Sequence, residues 1–252
     1  MADSAQIRRH FLSWDAPLLP AAVRWLARGW KKDGPLDLKD WLVVVPTRQA
    51  GRRLRAGLAA HAAECGQAVF PPRVLPPEGL IVGETAGDQA SALQNLLAWA
   101  EVFATANFDE LRALFPVDPP SRSFAWAWRL ANDFVRLQST LAEGDLALAD
   151  VAGRVSEDFS ERERWKCIGE LERRHAQVLA RLGLRDPQDV RRAAARAPVL
   201  AEDVARIVLI GVSDPHPLAL VALERLARRV PVEIVIAAPE NEAENFEEWG
   251  RP

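Results

Sequence analysis

The chain has 252 residues, 49% of them hydrophobic, and a formal net charge of −3, so it can bury one large core or a core with an insertion. No apolar run approaches the roughly 20 residues that span a bilayer, and Met1–Phe11 carries Asp3, Arg8, Arg9 and His10 where a signal peptide has an apolar core; a cytoplasmic protein with no membrane partner is predicted. The charge excludes a basic footprint over the whole chain, and Cys65 and Cys167, without local Cys or His partners, exclude a disulfide framework or zinc site and are expected to be buried thiols.

In chain order, Ile7–Trp30 reads as strand, tight loop and helix. The loop between Trp14 and Pro20 is Asp-Ala-Pro-Leu-Leu, with no glycine and no lysine. A P-loop needs glycines so that backbone N–H groups can wrap a phosphate, a lysine to neutralise it, and a Ser/Thr hydroxyl for the metal ion. Trp41–Pro46 is a continuous apolar run rich in β-branched residues, as expected of a parallel strand covered on both faces. Thr47 can cap the helix that follows. On that helix Gly51, Leu54 and Leu58 share one face, and Arg48, Arg52 and Arg55 share another.

From about Gly83 to Pro198 strand signals vanish. Leu93, Leu96, Leu97, Ala100 and Ala104 predict one helical stripe; Ala127, Leu130, Phe134, Leu137 and Leu141 predict a second. A third helix is predicted over Glu157–Leu182, and Asp186-Pro187 starts another, with Asp186 as N-cap. Pro116, Pro119 and Pro120 mark a loop. Strand signals return at Arg206–Gly211 and Val232–Ala237, on either side of a helix at Pro217–Arg229. The pattern predicts an α/β domain of residues 1–85 and 199–252 with an all-helical subdomain, residues 86–198, inserted into it.

Ligands of open α/β sheets sit beyond the carboxyl ends of the strands, and a helix N-terminus there favours an anion. Thr47, Arg48, Arg52 and Arg55 are therefore DNA- or phosphate-binding candidates; a capped helix with a solvated arginine face is the alternative. Trp126 and Trp128 are candidates for stacking on unpaired bases, against core packing as the alternative, which also covers the other tryptophans. The four histidines lack metal-ligand spacing, and His175 falls on an apolar stripe, where a structural role is expected. Ser213-Asp214-Pro215-His216 lacks the elbow a nucleophilic serine needs. The strand before it offers Val208, Leu209 and Ile210 where a nucleotide hydrolase carries acidic residues. Neither a catalytic residue nor a metal or other cofactor is predicted. The acidic run Glu240–Glu248 should repel nucleic acid.

Five segments carry a resemblance: Leu42–Leu54, Phe70–Leu75, Gly183–Pro187, Arg206–Gly211, and Ala238–Glu240 with Phe246–Pro252. Together they resemble the N-terminal region of AddB-type helicase–nuclease subunits, bacterial proteins of double-strand break repair that end in a PD-(D/E)XK nuclease domain. The resemblance implies a P-loop-helicase-like fold (RecA-like, the first domain of superfamily 1), a parallel sheet with an inserted all-helical subdomain and, as in several branches, no working P-loop. It also implies that Pro46-Thr47-Arg48 falls where active relatives carry a DNA-contacting motif after their second strand. Relatives continue beyond the position of Pro252 into further helicase-like domains, so the chain is expected to be a fragment or a truncated product. The nuclease residues have no counterpart here, and nuclease activity does not transfer. The expected role is a catalytically inactive helicase-like module of homologous recombination, with DNA and a helicase or nuclease subunit as partners. A protein-interaction scaffold without DNA contact is the alternative.

Overall fold

The computed structural model describes residues 7–81, 87–119 and 121–252. Pro120, Met1–Gln6 and the predicted domain boundary at residues 85 and 86 lie outside them. The chain divides into two compact units, residues 1–82 with 195–252, and residues 83–194. Strands are β1 (Ile7–Leu12), β2 (Leu36–Asp37), β3 (Trp41–Val44), β4 (Val69–Phe70), β5 (Arg73–Leu75), β6 (Arg206–Ile210) and β7 (Val232–Ala237). Helices are α1 (Leu18–Leu26), α2 (Arg48–Ala63), α3 (Ala92–Thr105), α4 (Phe124–Glu143), α5 (Leu148–Arg154), α6 (Arg162–Arg181), α7 (Pro187–Arg196) and α8 (Pro217–Leu226).

In the first unit five strands form an all-parallel sheet in the order β1-β7-β6-β3-β5, and β2 pairs with β4 separately. The steps β1 to β3 and β3 to β5 cross the sheet one way, and β6 to β7 the other. Right-handed crossovers then send α1 and α2 to one face and α8 to the opposite one. Accordingly, Val23, Leu26, Leu54 and Leu58 form one core cluster with Val43, Val45, Val208, Ile210 and Val235. The alternate residues Leu42, Val44, Ile207, Leu209, Ile234 and Ile236 are also buried, and α8 packs with a 3-10 turn at Pro77–Ile81. Burial on both faces is why these strands read as unbroken apolar runs.

One polar residue interrupts β7. Glu233 is 6% exposed, and its carboxylate lies 2.5 Å from Arg28, 2.8 Å from Arg206 and 2.9 Å from His10 Nε2. Arg28 also covers the Trp25 ring at 3.4 Å, and Arg206 covers Trp41 at 4.5 Å. Burial alone would raise the Glu233 pKa; the charge and hydrogen bonds of Arg28, with Arg206 and His10, outweigh it and hold the carboxyl below its ordinary value. The cluster ties α1 to the starts of β6 and β7.

The second unit is helical, α3 to α7 with one isolated bridge between Gln89 and Arg185. Its core centres on Trp99, Phe103, Phe108 and Phe134. One predicted stripe is corrected. On α3, Leu93 and Leu97 are 59% and 43% exposed and Ala104 is exposed, while Asn95, Ala98, Trp99, Val102 and Phe103 face inward. The aromatic pair Trp99 and Phe103 sets the helix's rotation, because rings of that size gain most from burial. On α4 the buried line runs through Ala127, Ala131, Phe134, Gln138 and Ala142, with Leu130, Leu137 and Leu141 packed at its edge. Helix α6 begins at Arg162 rather than at Glu157.

His175 is fully buried and stacks on Trp99 with centroids 4.3 Å apart. Its Nδ1 lies 3.3 Å from Asp186, which accepts bonds from Gln138 Nε2 and the Gln188 N–H. Burial would raise the Asp186 pKa, yet His175 and these donors outweigh it and hold it low. Both cysteines are free and half-buried, a correction to the expected burial.

Candidate functional site

The carboxyl edge of β3 is built by local rules. The Val45 N–H still bonds Leu75 O at 3.0 Å, but Pro46 has no N–H and the ladder stops. Thr47 is extended at φ −147° and ψ 157°, and its hydroxyl accepts from the Ala50 N–H at 3.1 Å. It is the N-cap of α2, whose first turn holds no acidic residue. Gly51 lets α2 lie close to the sheet, since a Cβ there would stand 2.9 Å from Val74 Cγ1.

That close approach leaves a groove of about 830 Å³ between α2 and the end of β5, lined by Arg48, Arg52 and Arg55 on one side and by Val74, Leu75, Pro76 and Glu78 on the other. The three arginines are exposed. No carboxylate among the described residues pairs with them. They stand on one line along the helix, with ~6 Å of axial rise between Arg48 and Arg52 and ~5 Å between Arg52 and Arg55. Glu78, which sequence reasoning missed, faces them from the Pro77–Ile81 turn; an isolated glutamate in a proline-rich turn gives no periodic signal.

The loops after β1 and β6 lie at the same carboxyl edge of the sheet. Between β1 and α1, the Ser13 hydroxyl donates to Asp15 at 2.5 Å and the Trp14 indole N–H donates to Ala237 O at 2.6 Å. Pro17 occupies the N-cap position without a side-chain cap, and Pro20 removes another N–H from the first turn. Leu18 closes on β6, where a Cβ on Gly211 would stand 2.7 Å from its Cδ2. Trp14 is 66% exposed, a correction to its expected place in a core. After β6, Asp214 lies 3.3 Å from Arg251. His216 caps α8 by accepting the Ala219 N–H on Nδ1 at 3.2 Å, a bond that occupies the nitrogen. No group of three or more His, Cys, Asp or Glu among the described residues could hold a metal ion.

Trp126 and Trp128 belong to the second unit and do not form one platform. Trp126 is half-buried and packs edge-on against Phe108 at 5.7 Å and Phe103 at 6.3 Å, at the edge of the helical core. Trp128 is half-buried and tilts against exposed Phe124 at 5.7 Å. Arg122 lies over Phe108, 4.1 Å from its centroid.

No helix among the described residues is long and apolar enough to cross a membrane. No protein-family model matches the chain, and no curated protein matches it.

Proposed function

We propose that the first unit is a catalytically silent, helicase-like module that holds DNA by its phosphate backbone in the arginine groove, as part of a repair and recombination helicase–nuclease. The observation that carries this reading is the set Arg48, Arg52 and Arg55, aligned in one open groove without a carboxylate partner among the described residues. Guanidinium forks suit phosphate, and the α2 N-terminus beside them adds favourable potential. Glu78 on the facing wall disfavours a second row of phosphates, so one backbone lies along α2. β3 is the second strand of the five-stranded sheet in chain order, the position to which the resemblance assigns a DNA contact. Holding is separated from hydrolysis because the β1–α1 turn offers proline and leucine where phosphate needs N–H groups and lysine.

The test is a salt titration of the purified chain against short oligonucleotides of varied sequence. Three phosphate contacts predict a log–log slope of roughly −2 to −3 and little sequence preference. Absence of salt-sensitive binding would favour the scaffold reading instead, for which the exposed Leu93 and Leu97 on α3 offer an apolar docking face.

A further inference from the structure

A second cavity, of about 300 Å³, opens on the other side of α2, between the start of α1 and the carboxyl ends of β3 and β6. Its deep walls are buried and apolar: Ala22, Val45, Leu54 and Ile210, with Leu19 half-buried beside them. Its polar lining, Thr47, Gln49 and Arg53, is exposed and therefore forms the rim. Arg53 lies off the stripe of Arg48, Arg52 and Arg55, and no carboxylate among the described residues pairs with it.

We propose that this cavity binds an amphipathic monocarboxylate, with its apolar body between α1 and β3 and its carboxylate on Arg53. At the deep end the Val45 N–H bonds Leu75 O and the Gly211 N–H bonds Val235 O, and the Ala50 N–H bonds the Thr47 hydroxyl. A nucleobase, sugar or polyphosphate would lose its water contacts there without replacement, whereas an aliphatic or aromatic body loses none. A volume of about 300 Å³ is at the small end of ligand pockets, which limits the body to a medium-length chain or a single ring system. At the rim, one guanidinium fork matches one carboxylate. The Thr47 hydroxyl, which uses a lone pair for Ala50, can still donate its proton.

The site lies where the connections of the sheet change direction, between β3 and β6, the place ligands favour in open α/β sheets. Of its lining only Val45 also borders the arginine groove.

The probe is sodium octanoate, titrated by calorimetry and by methyl NMR, with octan-1-ol as the uncharged control. The expected result is saturable binding at a Kd of about 1 mM or tighter. Methyl shifts should concentrate on Leu19, Val45, Leu54 and Ile210 and leave Leu111, Leu148 and Leu171 of the second unit unmoved. Arg53→Gln should weaken octanoate about tenfold, the worth of a charge-assisted hydrogen bond, and leave octan-1-ol unchanged. Ala50→Leu, which fills the cavity, should abolish both while circular dichroism stays native. Arg48→Ala with Arg52→Ala should leave octanoate binding intact. The proposal is overturned if octanoate gives no saturable shift, if shifts scatter over both units, or if Arg53→Gln binds it as tightly as the parent; the Arg53 comparison decides the matter even if Ala50→Leu does not fold.

Discussion

The two ends of one parallel sheet use arginine in opposite ways. At the amino ends of β6 and β7, Arg28 and Arg206 converge on buried Glu233 and lie over Trp25 and Trp41. At the carboxyl end of β3, Arg48, Arg52 and Arg55 line an open groove and have no carboxylate partner among the described residues. A guanidinium is equally charged in both places. The difference is whether the fold has already supplied the anion, and only an arginine left without one retains its electrostatic free energy for a ligand.

The comparison breaks most visibly at Glu233. Replacing Glu233 with alanine leaves Arg28, Arg206 and His10 gathered around no anion. Loss of one partner of a buried pair costs about 3–5 kcal/mol, but both arginine side chains are roughly two-fifths exposed, and solvent screening reduces the expected loss to about 1–3 kcal/mol. Urea unfolding should show a lower midpoint with an unchanged slope. DNA binding by the folded variant should match the parent, since the groove lies at the other end of the sheet.

Acid probes the same contrast without mutation. The Glu233 and Asp186 carboxyls are held below their ordinary values in the folded chain. The stability they contribute is therefore fully present above their unfolded pKa values, about 4.3 and 3.9, and is lost as pH falls through the lower folded values. Stability measured from pH 6 down to about pH 3 should fall, and Glu233→Gln should make that decline shallower. A parent whose stability is flat across this window would remove the carboxylates from the account.

How far the sequence speaks follows the same division between local and distant causes. Arg206–Ile210 and Val232–Ala237 were legible as strands because both faces are covered and the apolar runs are unbroken. The Thr47 cap and the arginine spacing were legible because both are set within two turns of one helix. The two-residue strands β2 and β4 are too short to show a period. Nor could spacing reveal that Glu233, Arg28 and Arg206 meet, since they come together from positions 28, 206 and 233 only after folding. On α3 the leucine stripe misled because leucine count outweighed ring size; Trp99 and Phe103 fixed which side turned inward.

At the open end the expected effect is on binding and hardly on stability. Arg48→Ala with Arg52→Ala removes two exposed side chains opposite the buried Leu54 and Leu58, so unfolding free energy should stay within about 0.5 kcal/mol. DNA affinity should drop about equally for all sequences, and the log–log salt slope should flatten by about one unit per lost contact. Arg53→Ala serves as the control: same helix, one charge lost against two, different groove. If Arg53→Ala weakens DNA as much as the double variant does, net charge rather than the aligned groove is responsible.

The smallest expected effect is none, and it concerns the third position on the sheet, the turn from β1 to α1. Magnesium with ATP should give no calorimetric heat and no shift in melting temperature, because three separate requirements fail together. Pro17 and Pro20 remove donors from the first turn of α1, no lysine is available between Trp14 and Leu26, and Leu18 closes against Gly211. The strand beside it ends in Leu209 and Ile210 rather than in a carboxylate that could hold magnesium. A tight nucleotide complex would have to open this turn, and should then abolish the Trp14 contact to Ala237. Trp14 fluorescence is therefore a direct monitor, and a saturable change on adding magnesium–ATP, lost in Trp14→Phe, would show that the carboxyl edge holds a working phosphate site after all.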